Sequence, residues 1–403
     1  MSRIKALLTK RLSGLALVTA LGLSASSVMA GSSVLNTIQW NGFISQGFAY
    51  SDDNNYLGDS SSGSFRLTEA GLNTSWRPHS KLQISAQALY RQTGTVAPDN
   101  IELDYGVIDW SIYNSMKGGF GLRAGRLKNP YGFYNEPRDL AHTRPTVLLP
   151  ESIYIDYLRD LIHSVDGFGI YSHRELPTGT LSFSAVNGDQ DLNQHTISTI
   201  ALTPNKGDLK DIDLTVSRIQ YEHGTGAWRL AYSHVEFESE FAPAPTDVTL
   251  FSGATDTTQQ LLSFEYNYKQ WQFVTEYQFR DYTVSDIHFP GLTINFESEG
   301  YYAQLSYRIS NKWKVLLRRD DIYLRKDDKS GQLHPAFAGQ PSHDAYAKDH
   351  TLSLKYTPTP EWQFMAEWHN VLGTYWLPSI ENPAITDRQA SWNLFLLHAA
   401  YRF

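Results

Sequence analysis

The chain has 403 residues, 41% of them apolar, 13% aromatic and only 19% charged, with a formal net charge of −8. The 10 Trp, 24 Tyr and 19 Phe exclude a disordered chain, which needs few aromatics. The absence of Cys excludes disulfide scaffolds, thiolate zinc sites and cysteine nucleophiles together.

Residues 1–30 read as a secretory signal. Arg3, Lys5, Lys10 and Arg11 form its basic end, residues 12–23 its apolar centre, and Val28-Met29-Ala30 a small-residue site for cleavage between Ala30 and Gly31. The competing reading, a membrane anchor, needs roughly 20 apolar residues where this centre has about a dozen. Removing the segment takes away four cations and no anions. The mature chain then has 30 basic and 42 acidic residues, a net charge of −12, which is a poor match for nucleic acid.

From residue 31 onward apolar residues recur at every second position, the period of a strand. In 80–91, Leu82, Ile84, Ala86, Ala88 and Tyr90 share one face, and Lys81, Gln83, Ser85, Gln87 and Arg91 the other. Trp271, Phe273, Thr275, Tyr277 and Phe279 alternate in the same way with Gln272, Glu276, Gln278 and Arg280. The pattern predicts sixteen strands. They lie near 38–50, 64–76, 80–91, 101–112, 118–126, 165–174, 178–187 and 211–221, then 226–238, 258–269, 271–281, 296–309, 312–325, 349–357, 361–373 and 388–403.

The connections alternate between short turns and long loops, the longest being 127–164. This alternation is the signature of a closed antiparallel transmembrane β-barrel, with both termini on the short-turn, periplasmic side. A soluble sandwich or propeller has no reason to sort its connections so strictly. Trp40, Trp76, Trp110, Trp228, Trp271, Trp313 and Trp362 all fall at the short-turn end, as an interfacial girdle requires. The residues 31–403 are therefore expected to form a single all-β barrel.

At this point the sequence resembles Gram-negative porins of the sixteen-stranded, trimeric type. The run Gly125-Arg126-Leu127-Lys128-Asn129-Pro130-Tyr131-Gly132, followed by Tyr134-Asn135-Glu136-Pro137-Arg138-Asp139 and Arg144-Pro145, is similar to the phosphate-selective and related porin group. The resemblance implies an outer-membrane channel, a third external loop folded into the lumen, and a homotrimer contacting outer-membrane lipid and lipopolysaccharide. It also implies that the last strand, with Phe395, Tyr401 and Phe403, is read by the barrel-assembly machinery. One departure counts against phosphate: the fifth external loop, read as 239–257, has no Lys or Arg and carries Glu240, Asp247 and Asp256.

Selectivity in such a channel depends on constriction width and rings of charge. The long loop offers Lys128, Arg138, Arg144 and Arg159 against Glu136, Asp139, Glu151, Asp156 and Asp160, a count that does not decide between anions and cations. Arg91, Arg280, Arg308, Glu265, Glu276 and Glu367 are expected on the lumen wall. Arg123, Arg138 and Arg144 are candidate eyelet cations; alternatively Arg138 and Arg144 bridge Glu136 and Asp139 and hold the loop's own fold. Arg126 has lipid-facing parity and is expected at the loop base, where a charge costs little. Pro130, Pro137, Pro145 and Pro150 stiffen the loop.

No cofactor, metal site or catalytic residue is expected. An outer-membrane barrel enzyme is the second reading, but neither Gly-x-Ser-x-Gly nor His-Glu-x-x-His occurs, and His142, His163, Asp52-Asp53 and Asp320-Asp321 have no compelling partner. An adhesin or receptor acting through the external loops is the third. An active transporter would need an N-terminal plug domain, for which the chain between cleavage site and first strand leaves no room.

Overall fold

The computed structural model describes residues 37–96 and 99–403; the expected signal lies outside the described residues. The first eight strands are β1 Gln39–Ser51, β2 Ser64–His79, β3 Leu82–Thr93, β4 Asn100–Ser115, β5 Gly118–Lys128, β6 Ser164–Leu176, β7 Gly179–Asp189 and β8 Asp208–His223. The rest are β9 Trp228–Ala242, β10 Gly253–Tyr268, β11 Trp271–Ser285, β12 Thr293–Arg308, β13 Trp313–Tyr323, β14 Tyr346–Tyr356, β15 Trp362–Gly373 and β16 Ser391–Arg402. Every strand pairs antiparallel with its sequence neighbours, and β1 pairs with β16 to close the barrel. Closure is completed by reciprocal backbone bonds between Gly42 and Phe403, at 3.0 and 2.9 Å. No unpaired edge is left to template aggregation.

All sixteen predicted strands are present, and their connections alternate as expected. The long loops are L1 (52–63), L2 (94–99), L3 (129–163), L4 (190–207), L5 (243–252), L6 (286–292), L7 (324–345) and L8 (374–390). L5 is shorter than the reading from sequence, because β9 runs on to Ala242 and β10 begins at Gly253. Glu240 and Asp256 therefore lie on strands, on the outer face above the apolar belt. Among the described residues no helix is long and apolar enough to cross a membrane, so any crossing is made by strands.

The alternation resolves into two faces. On β16, Phe395, Leu397 and Phe403 are exposed outside, while Leu394, Leu396, His398 and Ala400 are buried inside. On β11, Trp271 and Tyr277 are exposed and Val274, Glu276 and Gln278 are buried. The turn-end aromatics form cross-strand pairs in register: Trp271 with Tyr307, Trp313 with Tyr356, and Trp362 with Tyr401, with ring centroids 4.5, 4.3 and 4.9 Å apart. Such pairs contribute about 0.5–1.5 kcal/mol each beyond their buried area. Trp376 and Trp392, at the loop end, are buried instead and pack at 5.1 Å.

The Gly125-Arg126 pair now has a physical reason. Gly125 has φ +116, and a Cβ there would lie 2.1 Å from the carbonyl oxygen of Gly106 on the paired strand. Only Gly permits this close approach. Gly125→Ala is expected to destabilise the folded barrel by about 1–3 kcal/mol of backbone strain, read as a lower urea midpoint. An unchanged midpoint would mean that β4 and β5 separate without cost.

Candidate functional site

L3 leaves the wall after β5, crosses the lumen and returns at β6. Gly132, at φ +56, turns the chain so that Phe133 N–H reaches Glu276 Oε1 at 2.9 Å. The Tyr154 hydroxyl accepts from Phe133 N–H at 2.9 Å and donates to Glu276 Oε2 at 2.6 Å. Tyr302 and Ser263 also donate to Glu276, at 2.8 and 2.6 Å. This buried carboxylate is thus fully engaged, as a charge away from water must be. Around it Tyr131, Phe133, Ile153 and Tyr154 pack with the wall residues Leu261, Val274 and Tyr302 in one buried apolar cluster. Each fully buried side chain of this kind contributes roughly 1.5–3 kcal/mol.

Further along, Val147 N–H donates to Glu367 at 2.5 Å, Arg318 donates to Thr146 at 2.9 Å, and Ser152 N–H meets Asp320 at 3.3 Å. The loop descends far enough for Gln363 to donate to Ala141 O, at 3.0 Å, near the start of β15. L3 is therefore packed along the inner wall of β9–β16. Inward residues there are buried, among them Ser263, Gln304, Ser353 and Met365. The facing wall is only partly covered: Asn73, Gln83, Ser85, Asp109, Arg123, Tyr171, Ser182, Ser184 and Gln220, on β2–β8, keep access to water. The inserted loop expected from the resemblance does more than narrow the lumen: it half fills it, because a loop of this length carries enough aromatic surface to build a core with the wall.

At the L3 base a compact ionic latch forms. Lys128 Nζ lies 2.7 Å from Asp104 and 2.5 Å from Asp139, and Arg159 lies 3.2 and 2.5 Å from the same two carboxylates. Asp104 reaches the lumen because it is the extra residue of a bulge between the pairs Gln87–Tyr105 and Ala88–Leu103. Burial alone would raise the Asp139 carboxyl, but the cations beside it, Arg159 first and then Lys128, outweigh it and hold it well below the usual range. His163 is kept neutral, lowered to about 3 by burial and by Arg159. Asp104, Asp139 and His163 place ligand atoms within 4.8 Å of one another, a spacing suited to a metal ion. The Lys128 ammonium sits among them, 2.8 Å from His163, and supplies the positive charge that a metal would bring.

The other predicted residues fall into three groups. Arg138 and Arg144 are buried: Arg138 meets Asp156 at 3.4 Å, and Arg144 pairs with Glu69 on β2. Both hold the loop, but through Asp156 and the wall instead of through Glu136 and Asp139. Glu136 reaches Arg218 of β8 at 2.7 Å. On the wall, Arg91 pairs with Asp156 at 2.5 Å, Glu265 with Arg229 at 2.6 Å, and Arg280 donates to Gln259 at 3.1 Å. Arg308 is exposed at the turn end, and Arg126 lies at the loop base against Asp166 at 2.5 Å. Arg123 alone among the candidate eyelet cations faces the uncovered half, bonded to Asp109 at 2.8 Å and lying 4.4 Å over the Tyr171 ring.

Sequence reasoning passed over Glu69, Asp104, Asp109, Arg218, Arg229 and Arg318. Each has inward parity or lies at a bulge, so strand register was the only available signal.

The closed barrel, its apolar outer belt and its inserted third loop define the fold of sixteen-stranded porins. No protein-family model matches the chain, and no curated protein is similar to it in sequence. Solved structures are similar in fold. The outer membrane channel DcaP of Acinetobacter baumannii superposes with a TM-score of 0.57 at 12% identity, over 91% of this chain and 97% of that one. An anion-selective porin from Comamonas acidovorans gives 0.56 at 12%, over 91% and 99%. A loop-deleted form of OmpT, an outer membrane protein of Vibrio cholerae, gives 0.56 at 10%, over 91% and 99%.

Proposed function

We propose that the protein is an outer-membrane porin, a passive diffusion channel for ions and small hydrophilic solutes. The observation that carries this reading is the division of the lumen. L3 is packed along one half of the wall and reaches the other through ion pairs such as Arg144–Glu69 and Glu136–Arg218, and the turn-side part of that other half presents hydroxyl, amide and paired charged groups to water. Such a surface lets hydrated solutes pass without binding them tightly. Residues 1–30 direct export and are removed near Ala30. Exposed Phe395, half-buried Tyr401 and exposed Phe403, on and just after the closing strand, supply the signal to the assembly machinery. The barrel works as a homotrimer among outer-membrane lipid and lipopolysaccharide, with no role for nucleic acid.

The enzyme reading finds little support in the candidate catalytic groups. His142 faces the Glu361 carbonyl at 3.0 Å, His163 belongs to the latch, and Asp320 accepts from Ser152.

Refolded protein in a planar bilayer is expected to give stepwise conductance; its absence would overturn the channel reading. Arg123→Ala leaves Asp109 unpaired in the open half and is expected to raise the cation-to-anion permeability ratio about twofold. An unmoved reversal potential would place the selective constriction elsewhere.

A further inference from the structure

Three cations meet on the inner wall at the turn end of β12, β13 and β14. Trp313 pairs outward with Tyr356, so the neighbouring Lys314 and Lys355 turn inward, directly opposite each other. Arg308 lies opposite Lys314 on its other side. Adjacent strands sit about 4.8 Å apart, so the row spans about 10 Å of wall beside the descended part of L3. Like charges in direct opposition are destabilising, and the register imposes that opposition twice in succession.

No carboxylate relieves it. Among the described residues, Lys314 Nζ donates to the neutral Gln272 Oε1 at 2.9 Å, and Lys355 Nζ to the Arg144 carbonyl at 2.5 Å. Arg308 is exposed and its side chain has no partner among the described residues. The carboxylates whose charge acts on the row, Glu265 and Glu367, are already engaged. Glu265 is held by Arg229 at 2.6 Å, and Glu367 accepts from Val147 N–H and Ser353 at 2.5 and 2.8 Å. By contrast, the inward Arg91, Arg123, Arg144 and Arg218 each face a carboxylate. An ammonium has three N–H donors and a guanidinium five. Here the protein accepts from one on each lysine and from none on Arg308.

We propose that this row is a binding site for small polyvalent anions, solutes that carry two or more phosphate or carboxylate charges. This rests on the channel reading and names a class of solute that the lumen holds on its way through. A monovalent anion offsets one charge and leaves the other two opposed; a cation meets three charges of its own sign. Several anionic groups on one short molecule can face the whole row and turn its repulsion into attraction. The row lies on the turn side of L3, so solutes reach it from that mouth without passing the loop.

The probes are pyrophosphate and citrate, with acetate as the monovalent comparator. In titration calorimetry on the full refolded protein, at least one probe is expected to bind, and more tightly than acetate. The stronger of the two tells phosphate from carboxylate. Lys314→Gln should weaken that binding about tenfold, while Lys117→Gln, in the β4–β5 turn, should leave it unchanged. Should Lys314→Gln fail to fold, Arg308→Gln, at an exposed position without a side-chain partner, is expected to weaken binding about threefold. Binding by the folded variant equal to that of the parent overturns the proposal, as does acetate binding as tightly as either probe, or binding of neither probe. In bilayers, the tighter probe added on the turn side should interrupt the current at lower concentration than from the loop side; the reverse order overturns the placement. Calorimetric binding without any conductance would sink the channel reading and keep the site; conductance without probe binding would do the reverse.

Discussion

Tyr154→Ala is expected to give a channel of larger and noisier conductance than the parent. The Tyr154 ring is fully buried between L3 and the wall, and its hydroxyl joins Phe133 N–H to Glu276. Removing a buried aromatic of this size costs about 3–5 kcal/mol. The loss falls on docking of L3 and not on the barrel, whose strand ladder does not involve Tyr154. The docked loop then exchanges with looser forms, and mean conductance is expected to rise at least about twofold. Tyr154→Phe keeps the ring but removes one donor from Glu276 and the acceptor of Tyr134 N–H, so a smaller effect in the same direction is expected, from about 1–3 kcal/mol. Unchanged conductance in both variants would show that L3 is held by its ionic contacts alone.

The second large effect is on pH. Glu151, in L3, accepts from the Tyr56 hydroxyl and from Asp156 N–H, both at 2.9 Å. Burial, and then the neighbouring Asp156 charge, push its carboxyl up to about 8. Its value in the docked loop is raised above that of a free glutamate, so proton binding favours docking. That contribution is complete below about 4.3, the free value, and is lost as pH rises through about 8. His163 works with opposite sign. Its docked value is depressed, so its contribution is present above about 6.5 and is lost as pH falls toward about 3. Together they leave a mildly acidic window, between about 4.3 and about 6.5, in which L3 is most firmly seated. Current noise in planar bilayers is expected to rise on both sides of it. Glu151→Gln should abolish the alkaline limb and leave the acid one, since the amide stays neutral at every pH. A noise profile flat from pH 5 to 9 would exclude Glu151 as a determinant, about two units being ample for it to titrate.

Much of the barrel was legible because lipid and water impose opposite demands on alternate residues. Where that contrast fades, the reading fades too. Glu236, Glu238 and Glu240 face outward on β9 above the apolar belt, opposite Thr258, Asp256 and Ala254 of β10. With polar groups on the outer face, this end of the hairpin looked like loop. The site was less legible for another reason. The partners of L3 lie far away in sequence: Phe133 meets Glu276, Thr146 meets Arg318, and Arg144 meets Glu69. Composition counted four cations against five anions in the loop without pairing them. It could not supply the curvature that brings a strand on the opposite wall to within hydrogen-bond reach. Neighbouring Glu136 and Asp139 are the nearest anions to Arg138 and Arg144 in sequence, but the fold of L3 brings Asp156 to Arg138 and barrel closure brings Glu69 to Arg144.

The one-sided seating of L3 also makes the molecule mechanically lopsided. Strands β9–β16 are backed by a packed interior, much as a vault is backed by fill, whereas the turn-side half of β2–β8 is a thin wall with water within. Lateral pressure from the membrane, or an adjoining subunit pressing on the wall, would flatten the thin side first. The hollow arc is also the one whose deformation would alter the bore. A load on that arc would therefore reshape the bore and leave the inserted loop untouched.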